Sequence, residues 1–180
     1  MHMKNRHLTM SFKFLILILV LPGSAFGKEL CSLEKLDMNA ETYVVERLYY
    51  TGTCHYRNKN YNLSAESWRE LAHMENVKPE FKELQVNSLN NLGFLLFLGY
   101  GVNKNQASAV EYWAKAVSLG HQESEYHLCH AYAGKDDETY NPQIAKVHCN
   151  KAEAIYRSIE EKDDEDKEIL RQIKSYQESL

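Results

Sequence analysis

Apolar residues recur at intervals of three and four through most of the chain, and polar or glycine-rich breaks separate the periodic stretches. This spacing is typical of amphipathic helices. The first clear stretch predicts a helix that Asn39 caps and that runs through Tyr50, before a polar turn at 57–60. A second helix is predicted from a cap at Ser64, and a short leading helix over 28–38.

Five more helical stretches complete the pattern. Pro79 suits the first turn of the next helix, and Gly99 ends it because glycine adopts left-handed backbone at low cost. No stretch alternates as a strand would, so the sequence predicts an all-α fold. The remaining four helices are predicted over about 106–119, 122–133, 141–159 and 167–177.

Two stretches of the chain match at an offset of 36 residues. The shared types suit a helical hairpin, because asparagine caps a helix and alanine permits close helix contact. A period of this length indicates a short solenoid of helix hairpins, whose curved surface usually binds a partner. The matching pairs are Ser88 and Ser124, Leu92 and Leu128, Asn105 and Asn141, Ala109 and Ala145, Lys115 and Lys151, and Ala116 and Ala152.

The first 27 residues predict a secretory signal peptide. Basic residues precede an apolar run over 14–21, and small residues lead to a cleavage site after Gly27. A membrane anchor is the alternative, but the run is about half of the ~20 residues that a span needs. We therefore expect a periplasmic or secreted protein with no membrane span after cleavage.

The leader carries three basic residues, Lys4, Arg6 and Lys13, so the exported chain is more acidic than the net charge of −4 of the full sequence. Nucleic acid is not expected as a partner, because its binding needs a basic face. The run over 160–168 holds much of the acid. We interpret it as a solvated linker or exposed helix, with an acidic docking tail as the alternative.

By length, the exported chain is one domain. We divide it into a helical-repeat domain over 28–160 and an acidic segment with a C-terminal helix over 161–180. The expected repeats cover about 39–75, in degenerate form, then 88–120 and 124–158.

All four cysteines follow the predicted cleavage site, and an even number in an exported chain predicts disulfides. The repeat places Cys129 where the other copy has Gly93, and Cys149 where it has Trp113. A bond between these two places would join the two helices of one hairpin. Sequence proximity favours the same pairing, and among the three possible pairings we predict Cys31–Cys54 and Cys129–Cys149.

A zinc site is the alternative use of this region. His127, His130 and His148 lie near Cys129 and Cys149 in the sequence, and both residue types bind zinc. Their spacing matches no zinc pattern, and an oxidising compartment would consume the thiols. We therefore expect no metal and no cofactor.

One stretch carries a recognisable set of motif residues: Leu92-Gly93, Gly99-Tyr100-Gly101-Val102, Asn105, Ala109, Tyr112-Trp113-Ala114-Lys115-Ala116 and Gly120. Together they resemble the Sel1-like repeat (SLR), a relative of the tetratricopeptide repeat (TPR). Asn105 stands where that family has aspartate, and the aromatic pair is reversed. The second copy lacks the Gly-x-Gly-Val loop.

The resemblance implies antiparallel helix pairs stacked into a right-handed superhelix, and recognition of a protein or peptide rather than chemistry. Some exported, cysteine-rich members of the family are linked to β-lactam binding or hydrolysis. Others are periplasmic immunity proteins that block a toxic effector delivered by a neighbouring cell.

We therefore expect an exported protein-protein interaction module and not an enzyme. An immunity or inhibitor protein is the specific hypothesis, since an acidic chain would steer a basic effector toward it. The alternatives are a periplasmic adaptor and an enzyme acting on β-lactam or cell-wall material, with His127 or His130 as base. Two histidines on one polar helix face are more often solvated, so we do not favour the enzyme.

The resemblance also places the partner site, because the first helix of each pair lines the concave face in such arrays. Asparagine amides in this position suit backbone recognition, since they both donate and accept hydrogen bonds. The predicted partner-binding residues are Asn87, Asn90, Phe94, Glu123, Tyr126 and His130.

Overall fold

The structure is a computed structural model that describes residues 31–32 and 43–180. Over these residues the chain forms seven α-helices and no strand, which confirms the predicted all-α fold. A 3₁₀ turn over Pro79–Phe81 leads into the third helix. The helices are α1 (Val44–Arg57), α2 (Tyr61–Ala72), α3 (Lys82–Leu98), α4 (Gln106–Ser118), α5 (Ser124–Ala133), α6 (Pro142–Ser158) and α7 (Asp164–Ser179).

The predicted signal peptide, the leading helix over 28–38 and the cap at Asn39 lie outside the described residues, apart from positions 31 and 32. No helix in the described part of the chain is both long and apolar enough to cross a membrane.

The helices pack in the order of the chain. α1 packs on α2, α3 on α4 and α5 on α6, and we call these the first, second and third pairs. Each pair also packs on the next, through α2 with α3 and α4 with α5, while α7 packs on both α5 and α6. The core therefore runs as a row of clusters: Leu71, Leu92 and Leu95 in the first, Trp113 and Leu128 in the second, and Ile169 and Ile173 in the third.

Asparagine caps two of the helices, as predicted. The Asn105 side chain accepts a hydrogen bond from the backbone N–H of Ser108 at 2.9 Å, and Asn141 accepts one from Ile144 at 3.1 Å. The predicted cap at Ser64 is wrong. α2 begins at Tyr61, and the buried Ser64 hydroxyl instead donates to the Gly52 carbonyl of α1 at 2.8 Å.

The last helix begins earlier than the pattern predicts. Asp163 caps it and shares a capping box with Asp166, whose side chain accepts from the Asp163 N–H while Asp163 accepts from Asp166. Acidic side chains are favoured there because they offset the positive end of the helix dipole. Half of the acidic run therefore belongs to the start of α7.

Candidate functional site

The two helices of each pair meet at one tight crossing. In the second pair, a Cβ added at Gly93 would lie 2.7 Å from Nε1 of Trp113. The Trp113 ring therefore lies directly on the glycine backbone, and its Nε1–H donates to the Asn90 carbonyl at 3.0 Å. In the first pair, a Cβ at Gly52 would lie 2.6 Å from Nε1 of Trp68. The first pair thus repeats the glycine-tryptophan contact, which the sequence alone did not align.

The third pair has a disulfide at the same crossing. Cys129 and Cys149 are bonded, with their Cα atoms 4.6 Å apart and both residues fully buried. Cys31 and Cys54 form the other bond, so both predicted pairings are confirmed. With Cys129 and Cys149 paired to each other, the thiolates that the zinc alternative requires are not available.

Four of the six predicted partner-binding residues hydrogen-bond to other helices through their side chains: Asn87, Asn90, Tyr126 and His130. Asn90 is buried, and its side-chain oxygen accepts from the Ser124 hydroxyl of α5 at 2.8 Å. Tyr126 is buried, and its hydroxyl donates to the Gln172 side chain of α7. Burial raises the pKa of the Tyr126 hydroxyl. These side chains join each helix to the next but one, α3 to α5 and α5 to α7.

His130 is half-buried, and its Nδ1 lies 2.5 Å from the hydroxyl of Tyr176 on α7. Burial lowers the pKa of the His130 imidazole. The C-terminal helix therefore covers the part of α5 from which the sequence predicts half of the partner site. Of the other predicted residues, Asn87, Phe94 and Glu123 remain half-buried. Partner binding by the six residues stays a prediction.

A stripe on α3 does combine amide and aromatic side chains. Asn87, Asn91 and Phe94 are spaced by four and three residues, so they share one face of the helix. Asn87 is a hydrogen-bonding neighbour of Tyr49, whose pKa burial raises to about 12. We call these three α3 residues the α3 stripe.

Asn91 is the member that sequence reasoning missed. It is 8% exposed, and its Nδ2 makes no hydrogen bond within the described part of the chain. Leaving a buried amide donor unpaired costs about 1–3 kcal/mol. The cluster of three asparagines in five residues, 87–91, indicates this stretch because a helix interior does not favour asparagine, but the predicted site includes only Asn87 and Asn90.

Aromatic rings continue the stripe on both sides. Phe94 contacts Tyr100 with ring centroids 6.2 Å apart, and Tyr100 stacks on Tyr61 at 5.1 Å. In the other direction, Phe94 lies 6.4 Å from the ring of His127. Tyr100 is 41% exposed. We call the row from Tyr61 through Tyr100 and Phe94 to His127 the aromatic band.

The histidines are less exposed than the sequence interpretation suggested. The His127 ring stacks on Trp113, with centroids 5.0 Å apart and planes within 19°. Burial lowers the pKa of His127 to about 3, and the neighbouring His121 and His130 act in the same direction. The ring is therefore a weak base, held neutral against the core. The interpretation of His127 and His130 as a solvated pair is wrong.

A second polar cluster lies within the third pair. The buried Glu125 carboxylate pairs with Nδ1 of His148 at 2.6 Å and with Nζ of Lys151 at 3.2 Å. The His148 ring also stacks on Tyr132. At the offset of the repeat, Glu125 corresponds to Leu89, a fully buried core residue of α3. The cluster thus binds α5 to α6 where the second pair uses an apolar contact.

Comparisons with family models, curated proteins and solved structures gave no match to this chain.

Proposed function

We propose that this protein is an exported protein-binding module that recognises its partner on the α3 stripe. The observation that carries the proposal is the buried, unpaired amide of Asn91 beside the half-buried Phe94 ring. A backbone carbonyl of the partner would give the buried Asn91 amide the hydrogen bond that it lacks once that side chain turns toward the surface, and the Phe94 ring suits an apolar side chain. In this proposal the amide and aromatic side chains bind a partner and do not catalyse a reaction.

The helices form a short right-handed solenoid of antiparallel pairs in this proposal. The recurrence of one crossing, as glycine on tryptophan twice and then as a disulfide, supports it. The order of packing along the chain also suits a solenoid, in which each unit contacts only its neighbours. In such an array α3 belongs to the central pair, so a partner bound at its half-buried side chains can also contact the neighbouring pairs.

Two disulfides in a chain with a predicted leader favour export to an oxidising compartment. A small, braced, acidic protein suits a single partner, and we propose an immunity or inhibitor role against a delivered basic effector. The net negative charge of the exported chain would accelerate such an encounter. An adaptor role would use the same surface.

The test begins with affinity capture from the periplasmic fraction, followed by calorimetry of the purified complex. Phe94→Ala should weaken binding by about tenfold or more, as for an aromatic anchor, with helix content unchanged. The matched change Val147→Ala, at a 52% exposed site on α6, should bind like the wild type.

Asn91→Leu separates binding from folding. Removing an unpaired buried amide should raise the melting temperature, because no native hydrogen bond is lost. The same change should weaken partner binding, since the amide no longer contacts the partner. If Phe94→Ala and Asn91→Leu bind the partner like the wild type while Val147→Ala loses partner binding, the site lies on α6. Hydrolysis of β-lactam or cell-wall material by the purified protein would overturn the proposal of a binding module.

A further inference from the structure

Two loops meet at one end of the first and second pairs. The loop after α3 turns at Gly99 and Gly101, with φ of 74° and 65°. A Cβ at Gly101 would collide with the backbone of Tyr61 and Asn62 at the start of α2. Only glycine permits this approach, so the two loops form one fixed surface and not two independent ones.

The surface is basic, amide-rich and aromatic. Neither 55–63 nor 98–106 contains an acidic residue, although the chain as a whole has a net charge of −4. The stacked rings of Tyr61 and Tyr100 lie at its centre. Its exposed polar side chains are Arg57, Lys59, Asn60, Asn62, Asn103 and Lys104. We call these residues, with the two tyrosines, the basic edge.

Lys59 has a backbone conformation that lysine rarely adopts. Its φ is 62°, in the left-handed region, where it follows α1 in a position that usually holds glycine. The Lys59 N–H donates to Tyr56 and the Asn60 N–H to His55, the hydrogen bonds of a Schellman turn. The ends of α3 and α4 use Gly99 and Gly120 in left-handed backbone. Lysine is less stable than glycine in left-handed backbone. The presence of Lys59 therefore suggests that its side chain has a function other than stabilising the turn.

The next junction along the chain shows that the fold does not require these residue types. There the loop after α5 packs on the start of α4 through Gln106. The Gln106 amide donates to Asp137 at 2.5 Å and accepts from the backbone N–H of Glu138 at 2.8 Å. That loop carries Asp136, Asp137 and Glu138. A loop-on-helix contact is therefore made equally well with acidic residues.

From these observations we propose that the basic edge binds an acidic segment of another protein. Tyrosine, asparagine and glycine on a rigid frame are the residues that antibody loops use for protein recognition. The three exposed cations supply the charge complementarity. The basic edge adjoins the α3 stripe, because Tyr100 contacts Phe94, but its three cations and its loop amides lie at the helix ends and outside that stripe.

A single-stranded nucleic acid is the competing occupant. Such binding needs free aromatic faces for successive bases and a cationic groove along the backbone. Here Tyr61 and Tyr100 stack on each other, and three cations do not form a groove. The observations favour a protein.

The experiment uses the full exported chain and an immobilised array of 15-residue peptides of random sequence, sorted by Asp and Glu content. At low salt, the wild type should bind acidic peptides about tenfold more strongly than neutral ones of equal aromatic content. Lys59→Glu combined with Lys104→Glu should remove that preference. Lys135→Glu combined with Lys174→Glu makes the same change in net charge at exposed sites elsewhere, and should retain it.

Lys59→Gly gives a second readout. It should raise the melting temperature by a few degrees, because glycine relieves the left-handed backbone, while weakening binding to acidic peptides. A preference that survives the Lys59 and Lys104 changes, or that the wild type never shows, would overturn the inference. So would loss of peptide binding in Asn91→Leu, which would assign the peptides to the α3 stripe. Tighter binding of a dT20 oligonucleotide than of any acidic peptide would make the edge a nucleic-acid surface.

Discussion

In the second and third pairs, two helices cross in close contact, but different side chains make that contact. In the second pair, a tryptophan ring lies on a glycine, and Leu89 of the same α3 helix is buried in the first core cluster. In the third pair, the bond between Cys129 and Cys149 takes the place of the ring, and Glu125 with its partners His148 and Lys151 takes the place of the leucine. One helix crossing is thus held by apolar volume in one pair and by a covalent bond with an ion pair in the other.

The difference shows what the repeat conserves within this chain. A close contact between the two helices recurs, whereas the side chains that make it differ. A glycine opposite a large ring and two cysteines both allow close approach, and the rest of each pair adapts. This comparison predicts that the stability of the two pairs responds differently to three changes. The changes are truncation of a buried ring, removal of a disulfide and a fall in pH.

The largest effect is expected from Trp113→Ala. Removing this fully buried ring leaves a cavity over Gly93 and should lower the free energy of unfolding by about 3–5 kcal/mol. Urea denaturation followed by circular dichroism measures it. Trp68→Ala should cost a similar amount, because the first pair has the same contact. A loss below about 1 kcal/mol for Trp113→Ala would mean that the ring does not hold the crossing.

Removal of the buried disulfide should come next. Cys129→Ala with Cys149→Ala opens a loop of sequence separation 20, for which chain entropy suggests about 3 kcal/mol. Hydrogen exchange should rise in α5 and α6 more than in α3 and α4. Equal protection of both pairs after the change would show that packing alone holds the third pair.

Acid should weaken the junction between the second and third pairs, where the His127 ring of α5 stacks on Trp113 of α4. The pKa of His127 is lowered to about 3 in the folded chain, whereas an unfolded histidine titrates near 6.5. Below about pH 6.5 the unfolded state therefore binds a proton that the folded state does not, and stability falls as the pH drops toward 3. Thermal melts from pH 7 to pH 4 measure the slope.

His127→Asn is the matched variant for this test, because asparagine holds the equivalent place in α3 at Asn91. It should flatten the dependence of melting temperature on pH in this window. His121 and His130, whose pKa values burial also lowers, should leave a smaller slope. An identical slope in the variant and the wild type would exclude His127 as the main source.

The smallest change in stability is expected from Glu125→Leu, which gives the third pair the leucine that the second pair has at Leu89. Replacing both members of a buried ion pair by apolar side chains is often neutral or stabilising, and Glu125 is the only buried member of this cluster, so we expect a gain in the free energy of unfolding of at most about 1–2 kcal/mol. His148 and Lys151 both reach solvent, so they lose little when the carboxylate is removed. Chemical denaturation measures the change. A clear loss of stability would show that the ion pair, and not only the disulfide, joins α5 to α6.

The sequence predicted the helices because they depend on the local spacing of apolar residues. It predicted the disulfides because the 36-residue repeat and sequence proximity show which cysteines lie opposite each other. Helical spacing located seven of the described elements to within a few residues, and the repeat placed Cys129 opposite Cys149. The first pair was harder to align, because it shares little more than Gly52, Trp68 and Asn60 with its neighbours. Their contact becomes visible only when the two helices are placed together.

The site was less predictable for a physical reason. Helical spacing shows which residues share a face, but not whether another helix covers that face. Tyr126 and His130 suit a recognition surface by residue type, yet α7 lies on both through Gln172 and Tyr176. The predicted site does not include Asn91, because the local pattern cannot show that the amide of this residue lacks a hydrogen-bond partner.

The order of packing along the chain has a consequence for how the protein acquires its structure. The substantial contacts in the described part join each helix to its neighbour or to the next but one, and both disulfides close short loops, of sequence separation 23 and 20. Low contact order speeds folding, because little chain must be gathered before contacts form. A chain emerging from its N-terminus can therefore complete each pair in turn, and each cysteine meets its own partner before the next cysteine pair appears.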